Sequence, residues 1–193
     1  MKPSLMKHLN DCPRRPIIPA LIAGALLATS AVFAAHTDSG HILFRAMQQD
    51  VPVEGEFKRF AADIAFDPAK PQAGKVDLVI DLASVSTGTA QADELLRSSD
   101  FFDAARFANA SFASTAITTG AGGGYQAKGQ LTIKGHRAEV AVPFTAQPDS
   151  TGLRLQGSVT VSRLAFKIGE GEWADAGTLA DPVQIRFDVH LPK

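Results

Sequence analysis

The chain predicts an all-β domain, an antiparallel barrel or sandwich of about eight strands with one short helical cross-connection. Three observations lead there. After Gly40, apolar residues recur at every second position, the period of a strand with one buried face. Turn-forming residues separate the alternating runs at the spacing of an all-β fold. One interval, Thr89 to about Arg97, breaks the alternation with Ala, Gln, Glu and paired Leu, which favour helix.

The alternation is clearest near the C-terminus, where Val183, Ile185, Phe187, Val189 and Leu191 are interleaved with Gln184, Arg186, Asp188 and His190. It also runs through Val140, Val142 and Phe144, and through Leu153, Leu155, Val159 and Val161. Turns fall at Asp67-Pro68 to Gly74, Gly120 to Gly124, Lys134-Gly135-His136 and Pro148 to Gly152. Strands are therefore expected near 40–47, 53–66, 75–82, 109–118, 125–134, 137–147, 153–166 and 183–191. The two longest are expected to bend at Gly55 and Gly157, where a missing side chain permits a bulge or corner. Thr89 is the expected N-cap of the helix, and a second helical turn is expected at Asp103 to Arg106. Asp100 and Asp103 read as capping residues of such turns.

At the N-terminus, Lys2, Lys7, Arg14 and Arg15 precede an uncharged apolar stretch from Ile17 to Ala35, the order of a cleavable export signal. Val32 and Ala34 suit the −3 and −1 positions, giving residues 1–34 as signal peptide and 35–193 as one domain. A membrane anchor is the competing reading, but the stretch is rich in Ala and no basic stop-transfer cluster follows. Export through a cleavable signal implies a periplasmic or secreted protein. Cys12 lies before the apolar stretch, so the exported part carries no thiol, which excludes thiol catalysis and cysteine-based metal binding there. That part has fifteen Lys plus Arg against nineteen Asp plus Glu, and no basic stripe, which argues against nucleic acid as a partner.

No catalytic or metal motif stands out. His36, His41, His136 and His190 are scattered rather than spaced as ligands. The chain has no Gly-x-Ser-x-Gly elbow, and Gly120 to Gly124 lacks the Lys and Ser/Thr of a phosphate loop. The reading is a non-enzyme without metal or cofactor. What the sequence does supply is phenylalanine, eleven in the exported part against one Tyr and one Trp. These offer bulk without hydrogen-bonding demands. A barrel of about eight strands is either filled by such side chains or holds one small ligand, and the pattern is the same for both.

Several segments, in order and spacing, resemble the YceI-like family of bacterial exported proteins. They are Val53-Glu54-Gly55-Glu56-Phe57 with Phe60, Ile80-Asp81-Leu82-Ala83-Ser84-Val85 with Thr87-Gly88, and Asp93 with Leu95-Leu96. Further on come Asp100-Phe101-Phe102-Asp103, Ala110-Ser111-Phe112, Gly129 to Gly135, Arg163 to Gly169, and Trp173. The resemblance implies a lipocalin-like barrel with a tunnel for a polyisoprenoid or similar long-chain amphiphilic lipid. It also suggests a membrane cytochrome as a partner. A homodimer is compatible with the sequence, but no residue pattern demands one.

Within that resemblance, Phe57, Phe60, Phe102, Phe112, Phe144, Phe166 and Trp173 are the expected tunnel walls. Thr87, Asp93 and Arg163 are the expected polar groups near an opening. Many family members place Arg directly before the Asp of the helix and His just after it, where this chain has Ala92 and Glu94. Losing that cation favours a neutral head such as a quinone over a pyrophosphate. Two rival readings stay open at this stage, a filled-core module that docks on a membrane redox partner, and a lipid hydrolase.

Overall fold

The computed structural model describes residues 33–192, so the export-signal reading and Cys12 lie outside the described residues. Its strands are β1 (Phe33–Thr37), β2 (Gly40–Gln48), β3 (Val51–Phe57), β4 (Phe60–Phe66), β5 (Lys75–Asp81), β6 (Val85–Ser86), β7 (Asn109–Thr119), β8 (Tyr125–Ile133), β9 (His136–Pro148), β10 (Gly152–Ser162) and β11 (Pro182–Pro192). One helix, α1 (Ala90–Arg97), follows β6. All the strands join one antiparallel sheet in the order β1-β4-β5-β7-β8-β9-β10-β11-β2-β3-β6, curled strongly into a half-barrel. Among the described residues no helix is long and apolar enough to cross a membrane.

The curl starts from one long hairpin. Gln49 and Asp50 both take positive φ, 45° and 63°, the backbone of a two-residue turn whose twist matches the strands it joins. The register that leaves this turn as Gln48↔Val51 continues through Ile42↔Phe57, and resumes from Thr37↔Ala62 to Phe33↔Phe66. Thus β1 and β2 are halves of one bent strand, and β3 and β4 of another. Each half changes partners at the bend. The Lys58 N–H donates to the Ser84 carbonyl at 3.2 Å and the Arg59 N–H to Ser84 Oγ at 3.0 Å. Opposite, Thr37 Oγ donates to the His190 carbonyl at 3.0 Å and the His190 N–H to the Ser39 carbonyl at 3.2 Å, which draws β1 against the end of β11.

Tight turns set the remaining registers. Lys134 and Gly135, with φ of 50° and 76°, join β8 to β9 as a second two-residue turn. Between β9 and β10, Asp149 Oδ1 accepts from the Thr151 N–H, the Thr151 hydroxyl and the Gly152 N–H at 2.7, 2.7 and 2.8 Å. Such an Asx turn satisfies backbone donors that a reversal would otherwise expose.

All eight expected strands are present, with differences that have local causes. The run 53–66 breaks at Lys58-Arg59, not at Gly55, and 153–166 ends as a strand at Ser162 before a 3-10 turn at Leu164–Phe166. β1 begins two residues ahead of the expected mature start at Ala35, pairing Phe33 with Phe66 and Ala34 with Ala65. Thr89 is the N-cap by position, yet its side chain makes no capping hydrogen bond. The turn after Asp103 forms as expected, the Arg106 and Phe107 N–H groups both donating to its carbonyl at 2.9 Å.

Inside the curl, burial is uneven. One end is dry: Phe66, Leu153 and Leu191 are at most 1% exposed, and Phe66 packs edge-on against both Tyr125 and Phe144, which are tilted on each other, with centroids 4.9 to 5.4 Å apart. Away from that end the inward-facing Val183, Ile185 and Phe187 of β11, and Val140 and Val142 of β9, are only half-buried. We expect Phe66→Ala to cost about 3–5 kcal/mol in urea unfolding, as a large truncation in a packed core does. Val79→Ala, on a side chain 44% exposed, should stay within about 0.5 kcal/mol.

Candidate functional site

The half-buried inner residues face two adjoining cavities. The first, about 180 Å³, lies under α1 and is walled by Phe44, Phe57, Phe102, Trp173, Leu95 and Leu96 among others. The second, about 120 Å³, lies towards the dry end, walled by Phe112, Phe144, Phe187, Val140, Val142 and Val159 among others. Ile42, Ile80, Leu131 and Ile185 belong to both walls.

The hollow exists because large rings are laid against backbone rather than pointed across the lumen. Gly55 is the cross-strand partner of Phe44, and Gly157 that of Phe187. A methyl group placed on either glycine would sit 2.5 Å from the facing ring Cζ. The glycines that were expected to bend strands thus make room for a phenylalanine to lie flat on the sheet. Several other wall positions are short: Ala46, Val53, Ala110 and Val183 in the first cavity, Ala62, Val76 and Ala127 in the second.

Above the first cavity, three segments form a cover. α1 turns its Ala92, Leu95 and Leu96 to the cavity. The 98–104 segment folds back under it through hydrogen bonds from the Phe102, Asp103 and Ala104 N–H groups to Leu96, Ser98 and Arg97 carbonyls, at 3.0, 2.8 and 3.1 Å. The 164–181 loop joins through Gly169 and Glu170, whose N–H groups both donate to the Asp100 carbonyl at 2.8 Å.

Two buried cations knit this cover to the sheet. Lys134, 8% exposed, donates to the Ser99 and Lys167 carbonyls at 2.7 and 3.1 Å and to Glu170 Oε2 at 2.8 Å. Arg163, 2% exposed, donates from Nε to Ala180, from Nη1 to Ile168 and Gly169, and from Nη2 to Leu179, all backbone carbonyls, at 2.6 to 3.1 Å. These bonds occupy four of the five N–H groups a guanidinium carries. Burial pushes the Arg163 pKa down, opposed by the charges of Asp181 and Asp175.

The expected site residues divide by place. Phe57, Phe102, Trp173, Thr87 and Arg163 line the first cavity, and Phe112 and Phe144 the second. Phe60 and Phe166, 8% and 1% exposed, are packed in the core and line neither. Asp93 lines neither cavity; its Oδ1 accepts from the Thr87 N–H and hydroxyl at 2.6 and 2.7 Å, tying α1 to the strand before it. Those two bonds hold the Asp93 carboxyl below its ordinary range, as the Lys134 ammonium does for Glu170. Sequence reading missed the four shared aliphatic residues, whose period-2 placement is that of any core strand.

Chemically the cavities offer little besides apolar surface. Gln48, Thr87 and Arg163 are the polar residues of the first, and the second has none. Among the described residues, no Ser, His, Cys, Asp or Glu lines either.

The YceI-like domain family model matches residues 32–191. A UPF0312 protein of Shewanella oneidensis is 34% identical over 146 residues, covering 72% of this chain and 74% of that protein. The crystal structure of Burkholderia cenocepacia BcnA aligns with a TM-score of 0.75 at 38% identity, over 77% of this chain and 94% of that one. A polyisoprenoid binding domain from Saccharophagus degradans, implicated in plant cell wall breakdown, has the same fold at a TM-score of 0.63 and 15% identity, over 84% of this chain and 99% of that domain.

Because the folded-state pKa values of Asp93 and Glu170 are lowered, their stabilising contribution is present above the unfolded values and lost as pH falls through the folded ones. The melting temperature should fall as pH drops below about 4. A double variant Asp93→Asn, Glu170→Gln should start lower at neutral pH and fall less steeply, as read by circular dichroism melts. Arg163→Lys should loosen the cover almost as much as Arg163→Ala, since an ammonium cannot reach four carbonyls set for a planar fork. Hydrogen exchange over 164–181 measures this.

Proposed function

The chain belongs to the YceI-like domain family, and from that premise we propose that it is a periplasmic carrier enclosing the tail of an isoprenoid-type lipid, a quinone or polyprenyl, in a lipocalin-like barrel. It performs no chemistry on that cargo. The observation that carries this reading is the hollow itself, two adjoining apolar cavities of about 180 and 120 Å³ that share four aliphatic wall residues. A cavity lined by apolar groups is stabilised by an apolar occupant and not by water, which needs polar partners. Each methylene moved from water into such a space contributes roughly 0.8 kcal/mol, so a few isoprene units offset the cost of association.

Support for the lipid class comes from the polyisoprenoid binding domain of the same fold. A neutral head is favoured over a pyrophosphate because Arg163 is the cavities' one cationic residue and its donors are mostly engaged by carbonyls. Binding without catalysis is supported by walls whose polar residues, Gln48, Thr87 and Arg163, include no carboxylate, imidazole or thiol. The hollow argues against the filled-core module. Periplasmic location is supported by the basic residues that precede the apolar stretch at Ile17 to Ala35.

Trp173 is the only tryptophan of the chain and lines the first cavity, so its fluorescence reports on occupancy. Titration with a short-chain ubiquinone should quench it saturably at one ligand per chain. Trp173→Phe should lose the signal while calorimetry still detects binding. Quenching that rises linearly without saturation, with no calorimetric heat, would remove the carrier reading.

A further inference from the structure

We propose that Ile42, Ile80, Leu131 and Ile185 form a collar that measures the apolar tail of the cargo, making them the residues that sort single-chain amphiphiles by tail length. This rests on the carrier reading and specifies the same interior. The four come from β5, from β8 and from the neighbouring strands β11 and β2, so they are spread over three places along the curled sheet, and they are the residues common to both cavity walls. Three are β-branched, with one strongly restricted side-chain torsion each, which makes a stiff aperture rather than a soft one.

Polarity fixes the direction in which a ligand threads it. Gln48, Thr87 and Arg163 all belong to the first cavity, and the second has no polar side chain. A head group pushed through the collar would lose every hydrogen-bonding partner, at a cost the tail does not recover by exchanging one apolar wall for another. The head therefore stays under α1 and the tail passes between the four side chains. A tail too short to reach them uses the first cavity alone. A longer one gains the second, whose far side is shut by the packed cluster of Phe66, Tyr125 and Phe144. The collar thus sets where length begins to matter, and the closed end where it stops.

The test is calorimetric titration of the exported domain with geraniol, farnesol and geranylgeraniol, for the parent protein, Leu131→Phe, which plugs the collar, and Ile185→Ala, which widens it. Thermal melts verify that each is folded. The parent should gain affinity on the order of tenfold or more per added isoprene unit. Leu131→Phe should show no gain of affinity from geraniol to geranylgeraniol, whatever its affinity for geraniol itself. Ile185→Ala should keep the length dependence and favour methyl-branched prenols over straight-chain alcohols of equal length by more than the parent does. If Leu131→Phe proves unfolded, that shift in Ile185→Ala decides alone. An unchanged length series in folded Leu131→Phe, or an unchanged branched-to-straight preference in Ile185→Ala, overturns the collar while leaving the carrier reading intact. A parent protein that binds none of the prenols overturns both.

Discussion

The structure depends on how far inward-facing side chains can reach across a curled sheet. A closed barrel of about eight strands has an interior just wide enough for side chains to fill it, whereas this sheet of eleven strands curls into a half-barrel. Here the middle levels carry Ala, Val and Ile, and Phe44 and Phe187 are folded onto Gly55 and Gly157, so the two sides do not meet. Where larger residues do meet, at Phe66, Tyr125 and Phe144, the interior is dry. One geometric constraint therefore yields both a stable closed end and an accessible hollow. The family relationship and the apolar walls both concern what that hollow is for.

The cover is held by a different interaction. Lys134 and Arg163 are buried cations that spend their donors chiefly on backbone carbonyls of the loops above the cavity. Carbonyls supply acceptor capacity without a second buried charge, so the loops are ordered at a smaller desolvation cost than ion pairs of equal number would impose. Arg163 in particular joins both ends of its loop, at Ile168 and Gly169 and again at Leu179 and Ala180. The same engagement leaves the guanidinium little capacity for an anionic head group. A residue in the wall of the first cavity thus acts mainly on the shape of its cover.

The strands were legible because one face of nearly every strand is apolar at period two, and that signal survives whether the interior is full or empty. For the same reason the hollow was not legible. Ile42, Ile80, Leu131 and Ile185 look like core residues in sequence, and only the distance across the sheet distinguishes a wall from a contact. The break at Lys58-Arg59 did have a signal, since Phe57 and Phe60 are three apart and no uninterrupted strand puts both on one face. β1 was hidden inside the apolar stretch read as an export signal, and β6 is two residues long. Of the expected site residues, the motif phenylalanines separated into walls and core according to local packing, which periodicity does not encode. Asp93 was placed near the opening by its motif position, but its carboxyl is committed to Thr87.

The most direct measurement of the central claim is native mass spectrometry of the protein purified from its own cells, followed by solvent extraction of whatever it carries. The account predicts a stoichiometric adduct that extraction identifies as a prenyl-tailed lipid with a neutral head. A clean apo mass, unchanged after incubation with quinones and polyprenols, would contradict it.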